Sequence, residues 1–401
     1  MRRLSLAVAG ALALAASMQS PAHALFRGDE YEPRDWTIER EYFLDVLSYT
    51  ASHELGVRYR DARNAYLVSS GSVKSDELYI RQRLKVEADL DGPWGVAFNY
   101  EMNQDFDGIC QNFFVGVLAK LGENWRIEGV GEPLAYKEFA DEGFALQRRT
   151  ESSLFRAQFL WPDLWFDDKN DLDARLVEGP FNLQVSGHAQ VTPKVELRFA
   201  TDLDFPLEIS YGGPAFGFEF EKYRASLGAT WKISDRDTLW FDLSGELAEK
   251  ERAGHVALDP LDFTCEREAL VGRVEYIRAA EAGHRWSFGY QHVRFDESNA
   301  FPNNPPESVR MDRIDRIGYF TYSHAFKPDV RFATGVYVDF LDYLKEFPND
   351  PARSEEFDGI ESKIALRPEF FGERHCVSLG MTFELDRWAF AGFVVHIFVE
   401  F

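Results

Sequence analysis

The chain has 401 residues, 45% of them hydrophobic and 15% aromatic, with a formal net charge of −23 at pH 7. That acidity argues against nucleic acid, and against anionic headgroups in general, as partners. Beyond a short N-terminal run no stretch of about 18 apolar residues occurs, which excludes a helical membrane protein.

Arg2 and Arg3, the apolar run Leu4 to Ala16 and the triplet Ala22-His23-Ala24 make the three-part pattern of a secretory signal, so residues 1–24 are expected to be removed. Residues 25–50, charged and aromatic, read as a periplasmic lead-in, and residues 51–401 as one domain. Period-two alternation then recurs along the chain. Leu55, Val57 and Tyr59 oppose Glu54, Arg58 and Arg60, and Leu78, Ile80, Leu84 and Val86 oppose Arg81, Arg83, Lys85 and Glu87. The middle alternates most cleanly. Val195, Leu197 and Phe199 oppose Glu196 and Arg198, while Tyr223 to Trp231 oppose Arg224, Ser226 and Thr230. Leu239, Phe241, Leu243 and Leu247 oppose Asp242, Ser244 and Glu246; Leu270, Val274 and Tyr276 oppose Arg273 and Glu275. The pattern predicts an all-β chain of about 18 strands, with 16 as the alternative count.

The connections repeat a second pattern. Tight turns such as Leu90-Asp91-Gly92-Pro93 and Leu121-Gly122-Glu123-Asn124 alternate with long segments at 61–77, 163–180, 205–221, 251–265, 296–311 and 346–357. Strict alternation of short and long is the habit of an up-and-down transmembrane β-barrel, with short turns in the periplasm and long loops outside.

The chain ends Phe393-Val394-Val395-His396-Ile397-Phe398-Val399-Glu400-Phe401, with Phe393, Val395, Ile397, Val399 and Phe401 on one face. A terminal strand with one greasy face and a final aromatic resembles the C-terminal strand of Gram-negative outer-membrane β-barrels of porin type. The resemblance implies that this strand closes the barrel and is read by the barrel-assembly machinery. It also implies an outer-membrane location, against lipid and lipopolysaccharide.

In such a barrel the polar face of each strand points into the lumen. The candidate lumen and selectivity residues are then Arg58, Arg60, Arg81, Arg83, Lys85, Arg198, Arg224, Asp242, Glu246, Arg273, Glu275, Arg331 and Asp339. Basic and acidic members nearly cancel, so the excess acidity belongs to the loops, as in Asp163, Asp167, Asp168, Asp171 and Asp173. External carboxylates could be bridged by divalent cations to lipopolysaccharide phosphates; no other cofactor is expected. Arg81, Arg83 and Lys85, with Arg58 and Arg60 on the preceding strand, have few acids nearby and read as a basic stripe for an anionic or polyhydroxylated solute.

Three cysteines make no CxxC motif or Cys/His cluster, so haem and zinc sites are not expected. Cys110 and Cys265 fall at the same end of the barrel, too many strands apart for an easy disulfide. Ser186 and His188 share a face at a two-residue offset of roughly 6–7 Å, too far for a nucleophile and its base. No GxSxG, HExxH or P-loop occurs, so an enzyme is not expected. The expected function is passive diffusion of small hydrophilic solutes through a charged lumen, with the segments 163–180 and 296–311 as candidate constrictions. The alternative is a structural barrel of an export complex whose lead-in contacts a periplasmic partner.

Overall fold

The computed structural model describes residues 50–400, apart from 59–63, 75–76, 91, 106–107, 132–138, 151, 167–174, 179–181, 212–215, 255–261, 281–283, 328 and 373–374. The signal and lead-in expected at residues 1–49 lie outside the described residues.

Twenty strands make one sheet. In chain order they are β1 (Thr50–Arg58), β2 (Asn64–Lys74), β3 (Glu77–Asp89), β4 (Trp94–Asp105), β5 (Gly108–Lys120), β6 (Trp125–Gly131) and β7 (Phe139–Arg149). Then come β8 (Ser153–Phe166), β9 (Arg175–Glu178), β10 (Asn182–Thr192), β11 (Val195–Tyr211), β12 (Phe216–Lys232) and β13 (Asp237–Gly254). The last are β14 (Phe263–Ala279), β15 (Arg285–Ala300), β16 (Val309–Lys327), β17 (Val330–Glu346), β18 (Glu355–Phe371), β19 (His375–Glu384) and β20 (Ala389–Glu400). Each pairs antiparallel with its sequence neighbour, save that β10 joins β8 directly and β9 pairs with the far end of β11. β20 returns to β1, beside which it runs parallel. Since β9 and β10 share one position beside β11, the ring counts nineteen strands, and an odd number needs one such parallel seam because alternate strands cannot all point oppositely.

All the strands expected from alternation are present, and β2 and β9 are additional. β2 corrects the expected loop at 61–77: Asn64–Lys74 pairs along its length with both β1 and β3. Its Ser-Ser-Gly-Ser centre carries no apolar alternation, so only the ladder reveals it. Thr50, the first described residue, sits beside Gly392 at the end where the long connections lie.

Other expected loops also shrink. β11 to β18 run 16–19 residues, well beyond the roughly 9–11 that cross a bilayer. Their extra length lies at the long-connection end, where outward positions are charged, as Glu221 of β12, Glu249 and Glu251 of β13 and Glu266 and Glu268 of β14. With both faces polar the alternation disappears while the backbone ladder continues. Two tight turns use glycine where φ is positive, Gly92 at 81° and Gly122 at 90°, a conformation that costs other residues energy.

Burial is inverted relative to a water-soluble protein. On β13, Phe241 and Leu243 are each 40% exposed, while Asp242 and Glu246 between and beyond them are 5% and 6% exposed. On β16, Phe320 and Tyr322 are exposed and Asp315 and Ile317 are fully buried. Leu227, Trp231, Phe288, Tyr290, Val336, Phe340, Ile360 and Phe370 extend the exposed apolar face around the ring. So large an apolar surface requires an apolar surrounding. The chain is therefore a transmembrane β-barrel of the outer-membrane type, lipid outside and polar groups within. Inward side chains such as Asp242, Glu246, Val293, Asp315, Ile317 and Leu341 are buried against their neighbours.

Candidate functional site

Of the candidate lumen residues, Arg198, Arg224, Asp242, Glu246, Arg273, Glu275, Arg331 and Asp339 all fall on this inner face. Most are paired along the wall. Arg224 donates to Glu246 through Nε at 2.8 Å, and Arg267 of β14 approaches the same carboxylate at 4.0 Å. Arg267 itself pairs with Glu297 at 2.7 Å. Arg331 lies 3.9 Å from Glu369, which also takes Arg367 at 2.8 Å. Asp339 accepts the Arg316 backbone N–H at 3.1 Å. Arg156 with Glu128, at 3.1 Å, and Arg313 with Asp315, at 2.8 Å, continue the pattern.

The densest part of the wall centres on Arg273. Register places Trp240, Glu275, Gly289, Tyr319 and Tyr337 in one rung across β13 to β17. Arg273, on the adjacent rung, donates to the Tyr319 hydroxyl through Nε at 2.7 Å and to Glu275 through Nη2 at 2.7 Å. Its guanidinium stands 4.7 Å from the Trp240 ring centroid and 5.3 Å from that of Tyr319, within reach of both ring faces for cation–π attraction. Tyr319 in turn stacks on Tyr337 with centroids 5.5 Å apart. Gly289 makes this possible: any Cβ there would collide with the Tyr319 ring, which lies across the notch the glycine leaves. A second notch is Gly228. A Cβ on it would lie 3.1 Å from Asp242 Oδ1 and 3.2 Å from Arg198 Nε, so both side chains lean over the space it leaves.

Sequence reasoning missed Trp240, Tyr319 and Tyr337. Parity alone would have found them: Trp240 and Tyr337 sit two residues from the inward-facing Asp242 and Asp339, and Tyr319 sits four from Asp315. A glycine facing an aromatic ring, Gly289 against Tyr319, is the further signal of an inward aromatic.

Arg58, Arg81, Arg83 and Lys85 are placed by register only, and Arg60 lies outside the described residues. Arg58 pairs with Tyr66 and Tyr66 with Lys85, so β2 separates the two groups that were expected to adjoin. Opposite Arg81, Arg83 and Lys85 stand Ser70, Val68 and Tyr66 on β2, and Asn103, Glu101 and Asn99 on β4. One acid faces three bases directly, unlike the paired wall of β12 to β18.

Two long connections share one pattern. Phe301-Pro302-Asn303-Asn304-Pro305-Pro306-Glu307-Ser308 and Phe347-Pro348-Asn349-Asp350-Pro351-Ala352-Arg353-Ser354 repeat at a 46-residue spacing. In each, a one-turn 3-10 helix follows the Asn or Asp, and the first Phe N–H donates to the last Ser hydroxyl at 2.9 Å. They also bind each other. Asn349 donates to the Pro305 carbonyl at 2.9 Å, Arg353 pairs with Glu307 at 3.0 Å, and Arg353 covers the Phe347 ring at 4.0 Å. Asn303 reaches sideways to Asp262 at 3.0 Å. The expected constriction at 296–311 is thus a short tip on long paired strands, tied laterally to its neighbours on the rim. In the other candidate, 163–180, the flanks belong to β8 and β9, and 167–174, with Asp167, Asp168, Asp171 and Asp173, lie outside the described residues.

The C-terminal strand joins the two ends of the ring. Phe393, Val395, Ile397 and Val399 pair with Met381, Leu379, Val377 and His375 of β19, and on the other side with Ala51, His53, Leu55 and Val57 of β1. Phe401 lies outside the described residues. Cys265 is a free thiol.

No protein-family model matches the chain, and no curated protein matches it. Among solved structures it is similar to the outer membrane channel DcaP of Acinetobacter baumannii, at 9% identity over 74% of this chain and 86% of that one, with a TM-score of 0.37. It is similar also to OccK8 (OprE) of Pseudomonas aeruginosa, at 11% identity over 84% and 92% with a TM-score of 0.39, and to OprD of the same species, at 10% over 84% and 89% with 0.36. Likenesses of this degree carry no weight by themselves, and the barrel is read from its own strand pairing and side chains.

Proposed function

We propose that the protein is a passive diffusion channel in the outer membrane of a Gram-negative bacterium, conducting small hydrophilic solutes through a charged lumen without an enzymatic step. The observation that carries this reading is the inner wall: on the same strands that expose Leu243 and Phe320, it presents the ion pairs of Arg224, Arg273 and Arg313. Such a wall is at home against water. Rings of 16–18 strands generally leave an aqueous path, and this one is at least as wide.

The proposal assigns different parts of the wall different work. Where each arginine has its carboxylate, as in β12 to β18, the surface is nearly neutral and tolerates many solutes. Arg81, Arg83 and Lys85 on β3, together with Arg58 on β1 and Arg60 after it, hold the unbalanced positive charge that gives the channel an anion preference. Planar-bilayer recording of the refolded protein tests both parts. Step conductance is expected, with a reversal potential in a salt gradient that moves toward cations in Arg81→Gln/Arg83→Gln. An unchanged potential removes the stripe from selectivity. A folded protein that conducts nothing, and that captures a periplasmic partner through residues 25–47, replaces the channel by a structural barrel.

A further inference from the structure

Above the apolar band, the outward positions of β12, β13, β14 and β18 are acidic. Outward positions there include Glu219 and Glu221 of β12, Glu249 and Glu251 of β13, Glu266 and Glu268 of β14, and Glu356 and Asp358 of β18. One interval departs from this. On β15 the outward residues above Phe288 and Tyr290 are His292 and Arg294; on β16 the outward residue above Phe320 and Gly318 is Arg316. His292 and Arg316 are direct cross-strand partners, and Arg294 stands one outward position further along, opposite Leu270 and Ile314.

Arg294 and Arg316 bring two like charges to neighbouring outward rungs of adjacent strands, with His292 beside them, and like charges near each other on one face weaken a sheet. Arg316 has a partner, Asp342 at 2.8 Å, in a pair where both side chains are 43% exposed. Arg294 is exposed, and among the described residues neither it nor His292 makes a hydrogen bond or ion pair. Asp296 and Asp312 flank the cluster on its far side, so it is a basic notch in an acidic collar. Its neighbours place it near the top of the apolar band: Phe340 and Ile360 stand in its own rung and Tyr290 one outward position below, while Leu344, opposite Asp312, is the last exposed apolar side chain above it on β17. That is the level at which a bilayer changes from hydrocarbon to headgroup.

We infer that Arg294, Arg316 and His292 hold a phosphate of an outer-leaflet lipid headgroup, of the bis-phosphorylated glycolipid class found in lipopolysaccharide. An arginine fork matches phosphate oxygens in two-point contact. The rest of the collar, being acidic, can approach the same headgroup only through divalent cations; the notch meets it directly. The chain's net charge opposes anionic surfaces as a whole, and this notch is the local exception. The inference rests on the membrane placement of the barrel and not on conduction.

The test uses the full folded chain in detergent, titrated with bis-phosphorylated lipid A in the presence of EDTA and followed by native mass spectrometry. Binding is expected to survive EDTA and to weaken about thirtyfold in Arg294→Gln/Arg316→Gln, from the loss of two interfacial charges at about 1 kcal/mol each. Glu249→Gln/Glu251→Gln, on the acidic part of the collar, is expected to leave it unchanged. Heat-modifiable migration on a gel shows that each variant is folded. If the double variant is not, Arg294→Gln alone, at an exposed position, gives the same readout at a smaller fold-change. Equal binding by wild type and folded variant overturns the inference. So does complete loss in EDTA, which would assign binding to bridged cations, or equal binding of dephosphorylated lipid A. Equal affinity for phosphatidylglycerol would show general attraction to an anionic surface, and equal affinity for inorganic phosphate a site for a free ion; either overturns it as well. Conductance measured on the same samples separates this outcome from that of the channel reading.

Discussion

Asp242 and Leu243 are adjacent in sequence and sit in opposite media. Leu243 is 40% exposed on the outer face, in line with Phe241 and Leu247, and Asp242 is 5% exposed on the inner face, where it leans over Gly228 beside Arg198. The difference shows what each face needs. The outer face asks only for apolar surface and makes few specific contacts, so side chains there are interchangeable. The inner face gathers charges that must each find a partner, on the same strand as Arg313 finds Asp315, on the next as Arg224 finds Glu246, or two strands away as Arg273 of β14 finds Tyr319 of β16. The outer face tolerates changes of shape but not of polarity; the inner face tolerates neither freely.

The largest expected effect comes from violating the outer rule. Leu243→Arg places a charge near the middle of the apolar band and should cost about 2–4 kcal/mol, as for lipid-facing arginine at a bilayer midplane. Urea unfolding from lipid vesicles measures it, and a loss under about 1 kcal/mol would put Leu243 at the interface, where such charges are cheap.

A change on the inner face should cost somewhat less and depend on one partner. Gly289→Ala forces the Tyr319 ring off its notch, and overpacking of this kind costs about 1–3 kcal/mol. In a Tyr319→Ala background the same change should cost little, since the ring is gone and the two sites are directly coupled. Unfolding midpoints that simply add would mean that Tyr319 does not rest on Gly289.

The smallest effect belongs to the rim, where water surrounds both faces. The Arg353 guanidinium holds the Glu307 carboxyl below the ordinary carboxylate range by hydrogen bond and charge. A depressed carboxyl contributes its stabilisation above the unfolded pKa and loses it as the pH falls through the folded one. Glu307→Gln should therefore speed amide exchange at Arg353 and Ser354 at neutral pH, and the difference from wild type should vanish in acid. A difference that persists in acid would show that the two loops hold together without the ion pair.

The sequence by itself determined the class of fold, the parity of the strands and thereby which side of the wall each of Arg198, Arg224, Asp242, Glu246, Arg273, Glu275, Arg331 and Asp339 occupies. It could do so because a strand between lipid and water must alternate, and alternation is a local property. It did not show how far the strands continue, for beyond the apolar band both faces meet water and the contrast that marks a strand is lost. Nor did it show β2, whose serine-rich centre pairs with both neighbours without any apolar signal. The repeated Phe-Pro-Asn loops were visible as residues, but only their mutual hydrogen bonds made them a brace. The clamp on Arg273 was decided by tertiary structure alone. Trp240, Glu275, Tyr319 and the notch at Gly289 come from different strands, and only the register of the closed sheet brings them to one place.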